Sequence, residues 1–236
     1  HIVRNGSRGM YWLEPLVEVV TPAGRVAYGP VTTGDVAKLL DAGLLEGGAH
    51  ALRLGDIATH PWLASQQRLT GARLRIVDPA SLVDYVAHGG YVGLRNALAM
   101  QPLDIVRAIT DSGLRGRGGA AFPTGIKWQT VHDQKAAQKY ITCNADEGDS
   151  GTFADRMLME GDPFSPIEGM RIAVIAVGAT QGYIYLRIEY PHAARALAKA
   201  LQAARAIGHL GPDVLGSGKR FDIAVRMGAG AYICGE

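Results

Sequence analysis

Gly113-Leu-Arg-Gly-Arg-Gly-Gly-Ala-Ala-Phe-Pro-Thr-Gly-Ile-Lys-Trp128 packs five glycines, two arginines and a lysine into sixteen residues, directly after a helix-spaced apolar run. Glycine has no side chain and tolerates positive φ, so main-chain N–H groups in such a loop can come close to a ligand. Consecutive free N–H groups form a concavity that takes anions. Arg115, Arg117 and Lys127 add fixed positive charge. Arginine offers a planar fork and lysine a point charge, and both suit a phosphate. A flexible linker would be rich in Ser and Gly and would not carry Phe122, Pro123 and Trp128. The stretch lacks the Gly-Lys-Ser/Thr ending of triphosphatase loops. Gly116, Gly118 and Ala121 meet the loose, alanine-ended dinucleotide fingerprint, but that fingerprint follows a strand and here a helical pattern comes first.

Composition bounds the rest. The 236 residues are 47% hydrophobic and 19% charged, which suits one or two globular domains with a real core. A net charge of +2 and 7% aromatic residues without interleaved basic runs give no footing for nucleic-acid binding. The two cysteines, Cys143 and Cys234, cannot build a disulfide scaffold, and no histidines at matching spacing complete a zinc or iron–sulfur site. Both are expected to be small buried hydrophobes, and no metal ligand is expected in this stretch. The longest apolar run, residues 172–178, is too short to span a bilayer and reads as a core helix. No signal peptide is visible, so a cytoplasmic protein with no membrane span is expected. The chain starts on His1 and stops at Glu236 inside a motif, so it is read as a fragment.

Three regions follow. In residues 1–66, strand-like runs at 16–20 and 24–28 flank the turn residues Pro22 and Gly24, which predicts a hairpin. Thr33 is expected to cap a helix over 35–40. Two strands and a helix match part of a thioredoxin-like module. Residues 67–101 read as a connector with one helix over 81–87, ended by Gly89 and Gly90. From 102 to 236 helices (103–110, 166–177, 191–207) alternate with strands (139–142, 182–186, 221–225). That pattern predicts an α/β, Rossmann-like domain: a parallel sheet with helices on its faces and ligands at the carboxyl ends of the strands.

Asn144, Asp146, Glu147 and Asp149 follow the first of these strands. Asn and Asp are ordinary turn residues. A turn alone has no need of Glu147 and Asp149 as well, and four such groups at a cleft mouth suggest recognition of hydroxyls. Trp128, Met170 and Tyr183 are expected in the core.

Four motifs in order carry a resemblance over residues 103–236. They are the glycine loop; Cys143-Asn-Ala-Asp-Glu-Gly-Asp-Ser-Gly-Thr-Phe-Ala-Asp-Arg156; Ile167-Glu-Gly-Met170 with Gly182-Tyr-Ile-Tyr185 and Glu189-Tyr190; and Gly228-Ala-Gly-Ala-Tyr-Ile-Cys-Gly-Glu236. They resemble the NADH-oxidising flavoprotein (51 kDa-type) subunit of respiratory complex I and its relatives. Gly148-Asp149-Ser150 and the N-terminal region resemble most closely the β (diaphorase) subunit of soluble NAD-dependent formate dehydrogenases. The resemblance implies an FMN- and NADH-binding domain. Gly116, Arg117, Gly118, Gly119 and Lys127 would hold FMN. Asn144 and Asp146 would bind the flavin and its ribityl chain, Glu147 would belong to the same cofactor-binding set, and Asp149 would help bind NADH. Phe122 would stack on adenine, and Tyr232 and Glu236 would lie across the flavin pocket. Where the respiratory pattern has Glu, this chain has Asp149; where it has a second stacking aromatic, this chain has Thr130.

The implied chemistry is hydride transfer from NADH to the flavin, with no catalytic acid or base, followed by electron transfer to a 4Fe-4S cluster beyond Glu236. The implied partners are other subunits of a dehydrogenase: a molybdenum-containing catalytic subunit and a small 2Fe-2S thioredoxin-like subunit. The N-terminal region has no cysteine, so a structural or docking role is expected of it. The alternatives are the same subunit in an NAD-reducing hydrogenase or in complex I, and a docking subunit without catalysis.

Overall fold

The computed structural model of the chain describes residues 1–216 and 218–232. It divides into two compact units, Ser7–Ala72 and His1–Gly6 with Arg73–Glu236.

The smaller unit holds β1 (Val17–Thr21), β2 (Gly24–Tyr28), α1 (Val36–Asp41), β3 (Arg53–Asp56) and α2 (Pro61–Ala64). The expected hairpin is present: Thr21 pairs with Gly24, leaving Pro22 and Ala23 as a two-residue turn. The helix is entered through Thr32, not Thr33. The Thr32 amide and hydroxyl both reach the Asp35 carboxylate, at 2.9 and 2.6 Å, in a capping box. β3 pairs antiparallel with β2 and has no signal in the sequence, because Leu54 is its sole apolar residue. Tyr28, Val26, Val31 and Leu39 form one small core, and Met10, Ala27 and Ile57 form another.

The larger unit holds α3 (Leu82–Ala87), α4 (Val92–Leu98), α5 (Pro102–Asp111), α6 (Thr124–Asp133), β4 (Tyr140–Ala145), α7 (Ala154–Gly161), α8 (Phe164–Val177), β5 (Gln181–Leu186), α9 (Pro191–Ala206) and β6 (Asp222–Met227). β4, β5 and β6 lie side by side in a parallel sheet, as the alternating pattern predicts. Residues 73–101, read as part of a connector, carry α3 and α4 and place Tyr85, Tyr91 and Leu94 in the main core. Strand β5 alternates strictly, with Gly182, Ile184 and Leu186 buried. A Cβ at Gly182 would lie 2.8 Å from Met170 and 3.0 Å from Phe221, so only glycine lets the helix and strand close up there.

Helix α8 is apolar nearly all round, the pattern of a helix covered on more than one side. Phe164, Ile167 and Met170 join the core with α9 and β5, while Ala176 and Val177 join a second core with Ile105 and Val106 of α5. Each of the larger of these side chains contributes roughly 1.5–3 kcal/mol on leaving water. Helices α8 and α9 pack on each other and on the sheet. The helices cover the buried face of the sheet, whereas the residues of the other face, Tyr140, Tyr183 and Tyr185 among them, keep part of their surface exposed. Tyr183 is therefore half-buried and stacks at 6.0 Å on Tyr140, while Met170 is buried as expected.

One charged residue belongs to this core. Glu168, 8% exposed, accepts from the Tyr91 and Leu94 amides at 2.8 and 2.9 Å and from the Tyr85 hydroxyl. Its carboxylate thus caps the first turn of α4 from another helix, taking up amides that would otherwise lack partners.

Candidate functional site: the glycine loop and the carboxyl ends of the sheet

The glycine loop leaves α5 through Gly113 and returns into α6. It is pinched shut at its base: the Gly116 amide donates to the Phe122 carbonyl and the Thr124 amide to the Leu114 carbonyl, both at 2.9 Å. Arg115 spans the loop and donates to the Ala121 carbonyl at 3.0 Å. Gly119 and Ala121 have φ of +100° and +51°. The amides of Arg117, Gly118, Gly119 and Ala120 donate to no main-chain carbonyl among the described residues. Open space lies where a Cβ of Gly118 or Gly119 would stand. Lys127, in the first turn of α6, brings its Nζ to 3.7 Å from the Cβ position of Gly116 and to 5.7 Å from the Phe122 ring centre. After three more residues the loop enters α6 at Thr124. This set of donors fits the phosphate end of a mononucleotide. The sequence showed no helix at 124–133, because Gly125 is a poor helix former. The structure gives Gly125 a packing reason: a Cβ there would lie 2.1 Å from Thr110 Oγ1.

The second part lies at the carboxyl ends of the strands. Ala145, Leu186 and Met227 are the last paired residues of β4, β5 and β6, so the three following turns start side by side. Strand β4 runs three residues further than expected, and the exposed Asn144 is still within it. Its Oδ1 accepts from the Asp146 amide at 3.2 Å. Asp146 is 5% exposed, and its carboxylate oxygens lie 3.4 and 3.6 Å from the Cβ positions of Gly228 and Gly148. They have no hydrogen-bond partner among the described residues. Glu147 takes a left-handed φ of +41°. Its carboxylate accepts from the Tyr190 hydroxyl at 2.8 Å and from the Asp155 amide in the first turn of α7, and its carbonyl accepts from Arg187 Nη1 at 2.6 Å. Burial and the neighbouring Glu147 carboxylate hold the Asp155 carboxyl above its ordinary range, and burial with the Glu147 contact raises Tyr190. Asp149, exposed, accepts from the Tyr232 hydroxyl at 2.6 Å. Asp146, Gly148, Arg187, Glu189, Gly230, Ala231 and Tyr232 line a cleft of about 50 Å³.

The structure therefore gathers Asn144, Asp146, Glu147, Asp149 and Tyr232 at the strand ends, and Gly116, Arg117, Gly118, Gly119, Phe122 and Lys127 around the loop. No hydrogen bond joins the two groups among the described residues. They belong to one compact unit, linked by α6 packing on α8 and α8 on β4. Phe122 is 47% exposed and so is not a core residue, and Thr130 is exposed on α6. Trp128 packs against the second core. Cys143 is a free, half-buried thiol, which burial and Asp155 push up to about 11. Glu236 and Cys234 lie outside the described residues. Arg187 was missed by sequence reasoning; its signal was its place directly after a predicted strand, where ligand-facing residues collect. Among the described residues, no group of three or more His, Cys, Asp or Glu side chains could hold a metal ion, and no helix is long and apolar enough to cross a membrane.

The chain is 51% identical over 171 residues to the NADP-reducing hydrogenase subunit HndC of Solidesulfovibrio fructosivorans, a match covering 72% of this chain and 35% of that protein. It is 46% identical over 161 residues to an NADH-quinone oxidoreductase subunit of Escherichia coli, covering 67% of this chain and 36% of that protein. Among solved structures it is similar to an NAD+-reducing [NiFe]-hydrogenase in the H2-reduced state, with 29% identity and a TM-score of 0.56, covering 89% of this chain and 33% of that one. The chain thus spans about a third of the length of these relatives. The family model for the Nuo51 FMN-binding domain matches residues 109–236, more than half of the chain. With its glycine loop, its strand-end cluster and this match, the chain belongs to the Complex1_51K family.

Proposed function

We propose that this chain holds FMN between its glycine loop and the strand ends, with NAD(H) beside it, as the diaphorase part of a multi-subunit dehydrogenase. The observation that carries the reading is the run of amides from Arg117 to Ala120 without main-chain partners, in a loop where the Lys127 ammonium stands beside Gly116. Bound FMN would supply the hydride acceptor for the nicotinamide. The chain's own residues position and charge the site. The loop amides and Lys127 bind the phosphate end and the flavin. Asp146 accepts hydroxyl hydrogens of the ribityl chain, and Asp149 those of a nucleotide ribose. The exposed ring of Phe122 offers a flat face to adenine. Carboxylates at this rim oppose the extra phosphate of NADPH, which favours NADH.

The names of the relatives support a place beside other subunits. We propose formate as the distal substrate from the Gly148-Asp149-Ser150 variant of the motif, with a 4Fe-4S cluster in a following region, a small 2Fe-2S thioredoxin-like partner subunit and a cytoplasmic location. The hydrogenase relatives favour hydrogen equally. Copurified metal separates the two: molybdenum indicates formate, and nickel with iron indicates hydrogen.

The test is the flavin itself. Full-length protein carrying this region is expected to release about one FMN on denaturation and to reduce a dye with NADH. Lys127→Ala should lose FMN on gel filtration, and Asp149→Ala should raise the KM for NADH more than it changes flavin content. A colourless protein that takes up no FMN would favour the docking reading and overturn this one.

A further inference from the structure

The Glu147 carboxylate, one of the cofactor-binding groups that the family resemblance implies, is hydrogen-bonded within the protein. One oxygen accepts from Tyr190 and the other from the Asp155 amide, while the carbonyl of the same residue accepts from Arg187. These partners come from the start of α7, the turn after β5 and the start of α9. They converge on a residue with φ of +41°, a conformation that non-glycine residues keep only when their surroundings over-determine it. Arg187 is itself fixed, by Glu189 at 3.1 Å and by the face of Tyr190 at 5.5 Å.

The left-handed step at Glu147 turns the chain so that its neighbours reach the cleft. Asp146 lines it with a carboxylate that has no hydrogen-bond partner among the described residues. Asp149 stands at the rim, joined to the lining residue Tyr232. We infer that Arg187 and Tyr190 are positioning residues: they clamp Glu147 in its left-handed conformation and thereby aim Asp146 and Asp149 at the bound nucleotides. This rests on the FMN and NADH reading above. The clamp gives Glu147 a structural part in the turn, and it gives the cleft-lining Arg187 a bond to the main chain of that turn.

The test uses the full-length flavoprotein with Tyr190→Phe, Arg187→Lys and the pair. Tyr190→Phe deletes one hydroxyl and keeps the ring, so folding is expected to survive. Each single variant should raise the KM for NADH by about fivefold, the scale expected for loss of one ordinary hydrogen bond, with kcat within about twofold and FMN retained, since the glycine loop still holds its phosphate end. Because both act through Glu147, the double variant should cost less than the product of the singles. A wild-type KM in Tyr190→Phe would overturn the clamp. So would multiplicative effects in the pair, the result expected if Arg187 instead touched the nucleotide directly. If the wild-type protein holds no FMN, the functional reading fails; if it is active and the variants match it, only the clamp fails.

Discussion

The Tyr232 hydroxyl donates to the Asp149 carboxylate at 2.6 Å across 83 positions of sequence. Gly148 lets the tyrosine ring come close to the main chain there: a Cβ at 148 would stand 2.6 Å from Tyr232 Cδ2. Gly148→Ala should push the ring away and free Asp149. The expected outcome is a KM for NADH raised by roughly three- to tenfold, with FMN retained, since the glycine loop is untouched. Steady-state kinetics beside flavin quantitation check it, and an unchanged KM would show that the Tyr232–Asp149 contact does not matter for NADH.

Helices α5 and α6 meet at Gly125. A methyl group there would lie 2.1 Å from Thr110 Oγ1 and 2.8 Å from Thr110 Cα, and the latter is backbone that cannot swing aside. Gly125→Ala should cost about 1–3 kcal/mol through overpacking, despite alanine's better helix propensity. Thermal unfolding would register this as a fall of several degrees. A stabilised variant would mean that the helices slide apart at no cost.

His209 should make the larger unit acid-sensitive. Its ring lies 4.6 Å from the Tyr91 ring, and burial first, then the Arg171 cation, lower it from 6.5 to about 4, with Glu168 pulling the other way. Above pH 6.5 the ring is neutral in both folded and unfolded chains, and its contribution to stability is constant. Between pH 6.5 and 4 the unfolded chain takes the proton and the folded one does not, so stability falls over that window and levels off below it. Allowing for solvent screening at a half-buried site, the loss from pH 7 to pH 5 should be about 1 kcal/mol. His209→Phe, which keeps a ring against Tyr91, should flatten this part of the profile in urea unfolding at the two pH values. An equal slope in both proteins would remove His209 as the cause.

Much of the larger unit was legible because its elements carry local signals. Strand β5 alternates, α9 opens on Pro191 and is rich in alanine, and α8 is apolar along its length. The parallel sheet follows from such alternation. The elements that escaped are α2, α4, α6, α7 and β3. Helix α6 tolerates Gly125 because α5 packs there, and α4 is capped by Glu168 from another helix. Long-range partners decide such elements, and a sequence window contains none of them.

By itself the sequence determined a glycine loop with cations, an acidic turn after a strand and the order in which they occur, since turn chemistry and side-chain charge are local properties. Only the tertiary structure decided which of these groups remain available. The amides of 117–120 are left without main-chain partners because the loop is pinched at Gly116 and Phe122. Glu147 is withdrawn from the cleft because Arg187, Tyr190 and the Asp155 amide, from three other segments, converge on it. Which partners a hydrogen-bonding group meets depends on what the fold brings beside it.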